Sequence, residues 1–163
     1  KSIELFESFQ DLRNLADGYI NLAQAYIMIG DNETAQEYGA QALELCQKSN
    51  RVGDTARVHL LFGNIFTEQQ NWALAAEAYN DALETLEDTQ FFETISLVKF
   101  SLAKLQYYQG NREGAINSIA AALNYAEEHK LGAVTKKIYN YIQEMDEIFL
   151  LELTMSNFVN SKN

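Results

Sequence analysis

The chain has 163 residues, 47% hydrophobic and 21% charged, a balance that supports a packed core of ordinary size and is not that of a disordered chain. Twelve basic against 23 acidic residues give a net charge of −11, so nucleic acid is not an expected partner. Apolar runs such as "IFLLEL" fall far short of the ~20 residues of a membrane span, and one cysteine excludes an intramolecular disulfide framework; no membrane contact and a cytoplasmic location are expected.

Proline is absent, which favours uninterrupted helices because nothing deletes a backbone donor. In chain order, residues 1–12 have the pattern of a second helix from a preceding unit: Ser2, Ile3, Glu4 and Leu5 match Ala42, Leu43, Glu44 and Leu45. The chain is therefore expected to be a piece of a longer array. A first helix follows over 15–29, with apolar residues Tyr19, Leu22, Ala23, Tyr26, Ile27 and Ile29 at helical spacing. Gly30-Asp31 predicts a turn, with the glycine left-handed and the Asp capping the next helix. That helix, 32–48, places Ala35, Tyr38, Gly39, Ala42, Leu43 and Cys46 on one face.

The same design returns after 40 residues and again after 80. Ala23, Gly63 and Ala103 align, as do Ala35, Ala75 and Ala115, and then Ala42-Leu43, Ala82-Leu83 and Ala122-Leu123. Gly30-Asp31 falls on Gln70-Asn71 and Gly110-Asn111. The expected units are 15–50, 55–90 and 95–130, followed by a long capping helix over 133–160 that carries Phe149 and Leu153.

The stretch "YINLAQAYIMIGDNETAQEYGAQALEL" resembles a tetratricopeptide repeat (TPR), in its Leu-Ala-x-x-Tyr, its Gly-Asp turn and its paired alanines. The usual period is 34 residues; the longer one here resembles Leu-Gly-Asn-type polarity scaffolds and bacterial TPR regulators. Gln106 replaces the expected aromatic and Gln70 the turn glycine. The resemblance implies an all-α, right-handed α-solenoid of antiparallel helix pairs forming a single domain over 1–163, with first helices lining a concave groove.

On that frame the three first helices sum to a charge of +1 and the three second helices to −9, which puts the acidity on the back. Groove positions not used for packing form rows: Asp17, Arg57, Leu97 and Lys137; Ile20, Leu60, Phe100 and Asn140; Gln24, Asn64, Lys104 and Glu144; then Ile27, Thr67 and Tyr107. The partner-binding candidates are Gln24, Arg57, Leu60, Asn64, Phe100, Lys104, Tyr107 and Lys137. Amides suit a peptide backbone, and the basic groups suit carboxylates. The Lys/Asn/Arg clamp of chaperone-binding relatives is not reproduced, because apolar residues hold one of its rows.

No catalytic residue, metal or cofactor is expected. His59 and His129 sit in different repeats, Cys46 lies on an apolar face, and the turn lacks the Lys-Ser/Thr of a phosphate loop. Trp72 opens a second helix, where it is read as stapling the turn. The leading function is a non-enzymatic protein-interaction module that holds a peptide segment or partner protein in its groove. The alternatives are a sensing arm of a larger signalling or transcriptional regulator, and a homo-oligomer formed through the array ends.

Overall fold

The computed structural model describes residues 2–145, with side chains from residue 11 onward. Seven helices and no strand occur among them: α1 (Ser2–Met28), α2 (Asn32–Lys48), α3 (Val52–Glu68), α4 (Trp72–Thr85), α5 (Phe92–Tyr108), α6 (Arg112–Glu128) and α7 (Gly132–Gln143). The chain divides into two compact units, Lys1–Glu87 with α1 to α4 and Asp88–Asn163 with α5 to α7. Consecutive helices pack as pairs, α1 with α2, α3 with α4 and α5 with α6, the all-α solenoid arrangement expected from the repeat.

The pairs are antiparallel because their turns are short and chemically fixed. Gly30 and Gly110 take left-handed angles, φ 82° and 79°, and Gln70 does the same at 56° without the freedom of glycine. The next residue then caps the following helix. Asp31 accepts from the Thr34 amide at 3.1 Å, Asn71 from Leu74 at 3.4 Å and Asn111 from Gly114 at 3.0 Å. Turns between repeats also pass through a left-handed residue, Asn50 or Lys130, but Arg51 and Leu131, which follow, make no side-chain cap.

Two boundaries differ from expectation. No turn separates residues 1–12 from 15–29; α1 is one helix from Ser2 to Met28. Between Gln10 and Leu15 the sequence supplies neither glycine nor proline, so nothing stops the helix there. At the other end α7 closes at Gln143, where the Glu144 and Met145 amides bond back to Tyr141 and Ile142 in a tighter turn. The rest of the expected helix to 160, with Phe149 and Leu153, lies outside the described residues.

Alanines at 23, 35, 42, 75, 82, 103, 115 and 122 are all buried, which lets paired backbones approach closely. Large residues fill what remains. Tyr79, 1% exposed, lies so close to Gly63 that a Cβ there would stand 2.3 Å from its ring. Phe62 packs on Gly39 in the same way, at 2.8 Å. Cys46 is fully buried in the cluster with Ala16, Ile20, Ala42 and Val58, and burial pushes its thiol above the ordinary value. Two positions assigned to the packing face, Leu22 and Ile29, are instead exposed, at 42% and 75%. Among the described residues no helix covers that side of α1.

Candidate functional site

In the first unit, the expected groove residues are largely committed to the fold. Asn64, half-buried, accepts a hydrogen bond from the Tyr79 hydroxyl at 2.9 Å. Ile20 is 1% exposed and belongs to the core. A cleft of about 470 Å³ lies above it, lined also by Asp17, Asn21, Arg51, Asp54 and Arg57. Its charges pair among themselves: Arg51 contacts Asp17 at 2.8 Å and Asp54 at 2.7 Å, and Arg57 contacts Asp54 at 3.0 Å. Arg51 also donates to the Arg13 carbonyl at 3.0 Å, tying α1 to the turn before α3. This cleft is electrically closed. Gln24 is exposed and Leu60 half-buried, neither of them lining it.

The second unit is different. Phe100, Lys104, Ala133, Lys136, Lys137, Asn140, Tyr141 and Glu144 line a cleft of about 380 Å³. Helices α5 and α7 supply these residues, with Glu144 just past the end of α7, so Lys104 and Lys137, on two successive first helices of the repeat pattern, meet here. The Lys104 ammonium lies 5.3 Å from the Phe100 ring centre and 5.8 Å from that of Tyr141, with the two rings edge-to-face at 5.3 Å. Burial, and then the neighbouring Lys137, pushes the Lys104 amine below the ordinary lysine value. Burial also raises the Tyr141 phenol, with Tyr108 alongside it.

Three lysines therefore face one carboxylate, Glu144, in this cleft. Among the described residues none of the three forms an ion pair. A cation held over two aromatic rings, desolvated and in no ion pair among the described residues, favours an incoming anion. Phe100 departs from the expected role. It is 2% exposed, a core residue packed with Ala103 and Ile138, and reaches the cleft as its floor. Tyr107 is half-buried against the same core and does not line the cleft. Sequence rows missed Lys136 and Tyr141, although a tyrosine one turn after Lys137 was a usable signal.

A family model described as tetratricopeptide repeat matches residues 1–88. That is more than half of the 163-residue chain, and the chain belongs to this family. Tetratricopeptide repeats are non-catalytic helical scaffolds that mediate protein–protein interactions. A comparison with curated proteins found no match. No helix among the described residues is long and apolar enough to cross a membrane.

Proposed function

We propose that the protein is a non-catalytic interaction module and that the Lys104–Lys137 cleft holds an acidic segment of a partner protein or peptide. The carrying observation is the half-buried Lys104 between Phe100 and Tyr141, in no ion pair among the described residues, with Lys136 and Lys137 at the rim. A carboxylate entering there gains three cations at short range and relieves the like-charge crowding of Lys104 and Lys137. Asn140 can fix the peptide backbone, because its amide both donates and accepts.

The test is fluorescence anisotropy with labelled peptides carrying acidic, neutral and basic C-terminal segments. Acidic peptides should bind, binding should weaken with salt, and Lys104→Met with Lys137→Met should abolish it while the helical CD signal stays unchanged. Equal binding of all peptides, or binding that survives the double variant, contradicts the assignment.

A further inference from the structure

The clefts of the two units overlap in the repeat, Phe100 standing where Ile20 does and Lys137 where Arg57 does, yet their charges differ. Carried forward by 80 residues, Asp17, Ile20, Arg51, Asp54 and Arg57 of the first cleft become Leu97, Phe100, Leu131, Val134 and Lys137. Both carboxylates and one arginine are gone, and Lys137 keeps the charge of Arg57. Two further cations appear, Lys104 and Lys136, where the first unit has Gln24 and Ala56.

Positive charge is therefore left over in the second cleft. Three ammonium groups face the single Glu144 carboxylate, an excess of two charges. Glu144 is exposed just past α7, and among the described residues it pairs with none of the lysines. The donor type differs as well. In the first cleft the carboxylates are held by arginines, whose planar fork matches two coplanar oxygens. No arginine lines the second cleft. Its ammonium groups are point charges without a planar preference, mounted at separate positions on two helices.

We propose that the group seated here is a phosphoserine or phosphothreonine of the partner, an inference that rests on reading this cleft as the seat of an acidic segment. A phosphomonoester carries about −1.5 to −2 charges near neutral pH, on three terminal oxygens. That matches the excess of two charges, and three oxygens offer each lysine an acceptor. A single carboxylate leaves part of the excess uncompensated. Phe100 and Tyr141 meet edge-to-face at 5.3 Å beside the Lys104 ammonium, which leaves no slot for a third ring between them. A short serine or threonine ester therefore suits the cleft better than phosphotyrosine. A lipid phosphate shares the chemistry, but it lies in an anionic surface that repels a chain of net charge −11.

Fluorescence anisotropy with labelled peptides tests this, using randomised flanks around one fixed serine, glutamate or phosphoserine. The phosphoserine set should bind about tenfold or more tighter than the glutamate set, with the serine set weakest. Lys104→Met with Lys137→Met should bring phosphoserine binding down to the level of serine, while the helical CD signal stays unchanged. Glutamate and phosphoserine binding equally well overturns the phosphate assignment and leaves the acidic-segment reading standing. Binding of neither set above serine overturns both. Phosphoserine binding that survives the double variant overturns the site. Vesicles containing phosphatidylinositol 4-phosphate, or inorganic phosphate alone, binding as tightly as the phosphoserine set overturn the assignment to a partner polypeptide.

Discussion

Gly63→Ala sets two effects against each other inside the first unit. The added methyl improves the intrinsic helix propensity of α3 by about 1 kcal/mol. It also places a Cβ 2.3 Å from one Tyr79 ring carbon and 2.4 Å from the next, where ordinary contact begins at 3.4 Å. The ring must retreat by the difference, 1.1 Å, from a site where it is 1% exposed. Such overpacking costs about 1–3 kcal/mol. The retreat also strains the hydroxyl's bonds to Asn64 at 2.9 Å and Thr67 at 3.1 Å, each worth about 1 kcal/mol. The clash wins, and the expected net loss is about 2–3 kcal/mol. Urea unfolding followed by CD reads it directly. Tyr79→Ile copies the residue one period later, Ile119, which accompanies Ala103 in the third repeat. Combined with Gly63→Ala it should recover at least ~1 kcal/mol relative to the sum of the single changes. A Gly63→Ala protein as stable as the parent, or strict additivity in the pair, would refute the close-packing argument.

Four further outcomes follow from the same structure. Gln70→Gly should stabilise by roughly 0.5–1 kcal/mol in urea unfolding, since it relieves a left-handed non-glycine residue, whereas Gly30→Ala should destabilise by about 1 kcal/mol. Gln106→Phe should also stabilise, because the Gln106 side-chain oxygen is buried without a partner at a position held by Tyr26 and Phe66 in the other repeats. Burial holds the His59 imidazole below its ordinary 6.5 against the pull of Asp81, 3.8 Å away. The unfolded chain therefore takes up that proton first, stability should fall as pH drops through 6.5, and His59→Gln should flatten this part of the curve. Lys104→Met should raise stability at neutral pH, where the depressed amine is charged at a cost in the folded state, and the gain should shrink as pH rises toward the unfolded value of 10.5.

The parts of this fold legible in the sequence are those fixed by local chemistry. A left-handed turn residue followed by Asp or Asn is a complete instruction for ending one helix and capping the next. It worked even at Gln70, where the asparagine that follows carried the signal. Recurrent alanines marked the close approaches for the same reason. The row of Ile20, Leu60, Phe100 and Asn140 misled because equivalent positions share a direction and not a depth. Isoleucine and phenylalanine sank into the core, while asparagine stayed exposed. Arg51 was invisible because it lies in the turn between repeats, and its partners Asp17 and Asp54 come from different helices. Leu22 looked like a packing residue because its counterpart Phe62 is one. Whether such a face is covered depends on a neighbouring helix, and α1 has none on that side among the described residues.

The most direct test of the interaction site is NMR of the lysine side chains during titration with an acidic peptide that carries a free C-terminal carboxylate. The account predicts saturable shifts at Lys104, Lys136 and Lys137, larger than any at Lys48, Lys99 or Lys130, with the Lys104 amine titrating at higher pH once the anion is bound. Small, unsaturable shifts spread evenly over all lysines, or an unaltered Lys104, would contradict it.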